Sequence, residues 1–226
     1  MRRLPRSVTG LAVACAAVLA GSALAGCGSS GYIYASDTHD KAFFKVPADW
    51  HQVDPRFVAQ VQATLLSRSA AGAAGGAVAW SRVYTTALHP SALSLLTGSG
   101  QPTVYASVQD LRDSLRAQLS FDLMRNLLFP VTASARQADT AAGEKLPPGF
   151  VLLLNATIST KSGMRGINEL YEFDISGKAT AFDQTVLTNS STTKLYLLLV
   201  QCDQDCFLAH KTQIAAVVHS FTVEGP

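Results

Sequence analysis

The sequence predicts an α+β domain in which an antiparallel sheet is covered by helices. Three observations lead there. Residues 150–202 carry four strand-like runs separated by short polar turns, the pattern of an antiparallel meander. Leu195 to Val200 is apolar at every position, so that strand belongs at the centre of the sheet with both of its faces covered. Elsewhere, apolar residues recur at three- and four-residue spacing, which is the period of helices packed on a core.

In chain order, Arg2, Arg3 and Arg6 precede an apolar stretch from Leu11 to Ala20 and a run of small residues ending in Leu24-Ala25-Gly26-Cys27. A basic start, a short apolar centre and a small-residue end read as a secretory signal peptide over residues 1–26, too short and too rich in Ala and Gly for a membrane span. Arg2-Arg3 alone is too little for a twin-arginine export signal. Leu-Ala-Gly-Cys resembles the lipobox of bacterial lipoproteins. The resemblance implies that Cys27 becomes the new N-terminus, carries a diacylglycerol on its thiol, and holds the protein on the outer face of the plasma membrane. Small residues before the Cys admit the peptidase to the backbone, and two or more acyl chains, at ~0.8 kcal/mol per buried methylene, hold a protein on a bilayer where one would not. Gly28 to His39 is Gly/Ser-rich and then polar, so residues 27–40 read as the lipidated Cys with a flexible tether. Residues 41–226 form a single domain, with no repeat and no composition shift to divide them.

Phe43 to Val46 is a strand stopped by Pro47. Asp54-Pro55 reads as an N-cap followed by an N1 proline, and Val58, Val61 and Leu65 give the next helix an apolar face to about Ser69. Ala77 to Thr85 alternates like a strand, with Trp80 and Tyr84 on one side. Thr103 to Ser107 is another strand. Ser107 to Asp110 then resembles a capping box opening a long helix, in which Leu111, Leu115, Leu119 and Leu123 recur every four residues before Pro130. Ala133 to Pro148, polar and alanine-rich, reads as a surface loop. The meander comprises Phe150–Ser159, Ile167–Ile175, Ala179–Asn189 and Lys194–Cys202. A last helix follows, with Ile214, Val217, Val218 and Phe221 at helical spacing.

The whole chain of 226 residues is only 15% charged and 48% hydrophobic, enough to bury a sizeable core. Its basic excess belongs to the signal peptide. Without the three arginines of residues 1–26, 15 basic side chains face 16 acidic ones, a formal charge of −1. That balance gives no electrostatic case for nucleic acid.

Cys202-Asp-Gln-Asp-Cys206 is the most informative local feature. Cys15 leaves with the signal and Cys27 is lipidated, which leaves two thiols in an oxidising compartment. A disulfide closing this five-residue loop contributes roughly 2 kcal/mol in the chain-entropy picture. The sharper reading is a copper or zinc site, because Cys202, Cys206 and His210 are spaced four and four. Against it, Cys202 ends an apolar strand and no fourth ligand is evident for a closed zinc site. No metal and no cofactor is therefore expected. Asp37, His39 and Asp40 fall in the tether and read as solvated. His51 with Asp54 reads as a surface His beside a helix cap. Asp203 and Asp205 offer too few oxygens for calcium. Gly72, Gly75 and Gly76 lack the Gly-Lys-Ser/Thr ending of a phosphate loop, and no Gly-x-Ser-x-Gly or His-Glu-x-x-His occurs. Nothing supports an enzyme.

Phe44-x-Val46-Pro47-x-x-Trp50, the order of elements after it, and the closing Ser220-Phe221-Thr222-Val223 together resemble the PsbP/Mog1-like α/β/α sandwich of actinobacterial lipoproteins, over most of residues 41–224. The resemblance implies an accessory or partner-binding role rather than catalysis. The expected function is that of a membrane-anchored, non-enzymatic domain binding a protein or cell-envelope component. The alternative is a carrier of a small apolar ligand, with Leu95, Leu96 and Met124 lining a cleft under a helix.

Overall fold

The computed structural model describes residues 31–68, 77–97 and 100–224; the segment read as a signal peptide and Cys27 lie outside them. Part of the segment read as a tether, Tyr32–Asp37, is strand. β1 (Tyr32–Asp37) pairs antiparallel with β2 (Ala42–Pro47), residue for residue from Tyr32 opposite Pro47 to Asp37 opposite Ala42. Alternation holds it there, since Ala35 is buried with Phe44 and Val46 while Tyr34 faces out.

β3 (His51–Gln52) leads into α1 (Pro55–Arg68), where Asp54 caps as expected, its Oδ1 accepting from the Arg56 amide at 2.7 Å. β4 (Val78–Thr85), α2 (Ala92–Thr97) and β5 (Thr103–Asp110) follow. Ser107 to Asp110 is therefore strand and not a capping box. The single long helix is replaced by two short ones, α3 (Asp113–Arg116) and α4 (Phe121–Arg125), the second capped by Ser120. Its four leucines nonetheless share one core cluster with Met124 and Leu127. Ala133–Ala141, read as loop, is α5, capped by Thr132 and with no buried residue.

The meander is present as β6 (Val151–Ser159), β7 (Arg165–Ile175), β8 (Lys178–Thr188) and β9 (Lys194–Asp203). Ser176 and Gly177, at φ 54° and 81°, make the β7–β8 connection a two-residue turn of the type that matches strand twist. Gly166 is required by close approach, because a Cβ there would sit 1.8 Å from the Val186 carbonyl oxygen. The expected final helix is split into α6 (Gln204–Ala209) and α7 (Lys211–His219), and Phe221 lies beyond it, before β10 (Thr222–Val223).

The described residues form two antiparallel sheets, one of order β1-β2-β10 and one of order β3-β4-β5-β9-β8-β7-β6. The fold is α+β, as predicted. β9 is the central strand of seven. Leu198, Val200 and Cys202 pack with β2 and α7 on one face, while Leu197 and Leu199 pack toward the helices on the other. Coverage is uneven, and that positions the site. The small sheet and α7 cover β4, β5 and β9, and leave that face of β6 to β8 partly bare. No helix among the described residues is long and apolar enough to cross a membrane.

Candidate binding site

The residues singled out from the sequence separate into distinct places. Cys202 is the penultimate residue of β9 and Cys206 lies in the first turn of α6; both are buried, and in this structure both are free thiols. Asp203 is the helix cap between them, its Oδ1 accepting from the Cys206 amide at 3.0 Å. A hydrogen bond to Cys206, reinforced by burial, pushes the Cys202 thiol above its ordinary range and favours its protonated form. His210 points its Nδ1 to Gln213 Oε1 at 2.9 Å, and no three His, Cys, Asp or Glu side chains among the described residues form a metal-holding cluster. Asp203 is further engaged by Lys178 Nζ at 3.6 Å.

The cleft expected at Leu95, Leu96 and Met124 is closed. Leu95 and Met124 are buried, the cavity beside Leu95 holds only about 10 Å³, and the Leu96 side chain lies outside the described residues. His51 and Asp54 line a cavity of about 410 Å³ with His89, but Asp54 is the α1 cap and no acid–base contact joins it to His51. Gly72, Gly75 and Gly76 are outside the described residues. Asp40, read as solvated, is instead buried in the turn after β1, bonded to Lys194 Nζ at 2.8 Å and to His39 Nδ1 at 3.1 Å.

Two features went unread in the sequence. The first is a polar group inside the core. Glu169 on β7 is fully buried, its Oε1 accepting from Gln184 Nε2 at 3.3 Å. Gln184 Oε1 accepts from Tyr171 O–H at 3.2 Å, and its Nε2 also donates to the Met124 carbonyl at 3.0 Å. Among the described residues Glu169 Oε2 has no partner. Burial pushes this carboxyl up to about 8, against the pull of Arg125, so it is largely protonated at neutral pH. The signal was available, because period 2 puts residue 169 on the same side as Tyr171 and Phe173.

The second is the outer side of the meander. Among the described residues β6 pairs only with β7, and its first four residues, Val151 to Leu154, are each 41–53% exposed. A bulge between Leu152 and Leu154 turns Leu153 out of register. Behind this strand, on the thinly covered face, lies a cavity of about 480 Å³ bounded by β6, β7 and β8 and by the stretch from Val218 to Val223. Asp183 is beside it, accepting from Asn168 Nδ2 at 2.9 Å; burial raises its carboxyl to about 6, while Asn168 and His219 oppose the rise.

No family model and no curated protein matches the chain. Among solved structures it is similar to the PsbP of the cyanobacterium Synechocystis, with 15% identity over 88% of this chain and 95% of that one, at a TM-score of 0.48. It is also similar to LpqN of Mycobacterium tuberculosis, described as involved in cell envelope biogenesis, with 13% identity, 85% and 90% coverage and a TM-score of 0.45. The Ran-binding protein Mog1p of Saccharomyces cerevisiae follows at 8% identity, 86% and 96% coverage and a TM-score of 0.42. At these scores the likenesses carry no conclusion about what the chain does.

Proposed function

We propose that this protein is a lipid-anchored, non-enzymatic domain of the cell envelope that binds a partner protein by strand addition at β6. The observation that carries the reading is the edge itself. Val151–Ser159 is nine residues long, contains no charge and no proline, and exposes four consecutive large apolar side chains. Soluble proteins ordinarily blunt such an edge with lysine, proline or a covering segment, because its unpaired backbone groups template another strand. Here only the Leu152–Leu154 bulge interrupts it. An added strand would gain main-chain hydrogen bonds from the edge and side-chain contacts from Val151 to Leu154. The lipobox resemblance at Cys27 supplies the anchor and confines the search to envelope partners.

The test is a photo-crosslinking amino acid at position 153, in intact cells, beside a control at exposed Leu88. A discrete protein adduct at 153, absent at 88 and lost with Leu154→Lys, is the expected result. Repeated recovery of no adduct at 153 sinks the reading, and an adduct with a second copy of this chain replaces the partner with self-association.

Export to an oxidising compartment should also join Cys202 to Cys206, which already lie against one another. The intact mass of protein recovered from the envelope is then two hydrogens below the reduced value. A full count of two free thiols under denaturation removes the disulfide.

A further inference from the structure

We propose that the cavity between β6–β8 and the C-terminal stretch is a second binding site, whose ligand is a neutral amphiphile with an apolar chain and a hydroxyl-bearing head. The inference is independent of the β6 partner. Its first ground is size and lining. About 480 Å³ falls within the range of small-molecule sites, and Ile158, Leu187, Val218, Phe221 and Val223 supply apolar walls. The space follows from the architecture. α7 ends at His219, and Ser220 then fixes the turn, its Oγ accepting from the Lys45 amide at 2.9 Å and donating to the Val217 carbonyl at 2.6 Å. The chain thus turns into β10 before it reaches β7, and the apolar face of Leu187 and Ile158 keeps a groove of its own.

The second ground is the polar end. Asn168 spends its amide N–H groups on Asp183 Oδ1 at 2.9 Å, on Thr185 Oγ1 at 3.1 Å and on the Gln184 carbonyl at 3.4 Å. That triangle leaves the Asn168 amide oxygen as an acceptor and the Thr185 hydroxyl hydrogen as a donor, with exposed His219 at the rim. A hydroxyl both donates and accepts, and meets this mixed set without bringing a charge into the cavity. A carboxylate head does not fit, because it would approach Asp183 in a site of low polarity, where like charges repel strongly.

The probe is 1-monolauroylglycerol below its micellar concentration, titrated calorimetrically into the full chain carrying Cys27→Ser, with laurate at pH 8 as the charged comparison. Saturable one-to-one binding is expected, with laurate about tenfold weaker or worse. Val218→Trp and Ile158→Trp place an indole in the wall from opposite sides, and each should abolish binding. Ile158 on the edge strand and Val218 on α7 are each half-buried and border core clusters, so native near-UV circular dichroism checks that each variant keeps its packing. Asp183→Asn should narrow the gap between the two ligands by strengthening laurate alone. The site is overturned if no saturable binding occurs, or if binding survives in both folded tryptophan variants. Laurate binding as tightly as the monoglyceride overturns the assignment of the head.

Discussion

Wild-type protein is expected to lose stability steadily between about pH 4.5 and pH 8, and Glu169→Gln should remove most of that loss. The sign follows from linkage. Glu169 has its folded-state pKa raised from 4.5 to about 8, so the folded state holds a proton that the unfolded state releases. The carboxyl therefore costs nothing below the unfolded value, and its cost grows as pH rises until the folded value is passed. At 1.36 kcal/mol per unit, the full difference is roughly 3–5 kcal/mol, of which more than half is already present at pH 7. Burial is the dominant cause, since Glu169 is 0% exposed and only one of its two oxygens has a partner. Gln184 relieves only Oε1, since its Nε2 is shared between that oxygen and the Met124 carbonyl and its Oε1 accepts from Tyr171, which leaves nothing for Oε2. Glutamine at 169 keeps the shape and carries no charge at any pH. The check is urea unfolding of both proteins at pH 5 and pH 8. The variant should match wild type within about 1 kcal/mol at pH 5 and exceed it by roughly 3 kcal/mol at pH 8. Asp183, also raised, adds a slope of the same sign at lower pH, but it is common to both proteins and cancels in the comparison. Equal pH slopes for the two proteins would refute the burial account.

The same residue shows what was legible in the sequence. Strands were readable wherever β-branched and aromatic residues alternated, and β4 and β6 to β9 are placed to within a few residues. The parity of β7 contained Glu169 too, but a charged residue in an apolar register is easily taken for a surface position. Helices were less legible. Leu111, Leu115, Leu119 and Leu123 share one core cluster, so the burial was readable even though the continuity was not. A four-residue repeat is met equally by one long helix and by two single turns that each present a leucine to the same pocket. Ser120, whose Oγ accepts from the Leu123 amide at 3.1 Å, was the local sign of a fresh helix start. In α5 no side chain is buried, so no apolar period existed to find. The binding features were least legible of all. Neither the bare edge of β6 nor the cavity behind it is a motif; both arise from which strand ends the sheet and where α7 stops.

Lys194→Ala should be strongly destabilising, costing about 3–5 kcal/mol. Lys194 opens β9 and places its Nζ 2.8 Å from both Asp40 and Asp110. Burial draws the ammonium pKa down, but the bonds to the two carboxylates outweigh it and hold the group charged. The partners are unequal. Asp40 has only 4% of its side chain exposed, while that of Asp110 is 55% exposed. Removing the ammonium strands a buried carboxylate whose Oδ2 already lacks a partner and whose remaining neighbour is His39. Asp110→Ala, by contrast, breaks an exposed pair worth under about 1 kcal/mol. Asp40 sits in the turn between β1 and β2, and Lys194 on the central strand of the larger sheet, so this bond ties one sheet to the other. Urea midpoints of Lys194→Ala, Asp110→Ala and the pair Lys194→Ala with Asp40→Asn discriminate the cause. If the cost is that of a stranded charge, the double variant recovers most of the stability lost by Lys194→Ala, since neither remaining side chain is ionised. A double variant as unstable as the single one would place the cost in the lost lysine stem. Equal, small effects of Lys194→Ala and Asp110→Ala would mean that water reaches Asp40 and that the two sheets are held by their shared apolar core alone.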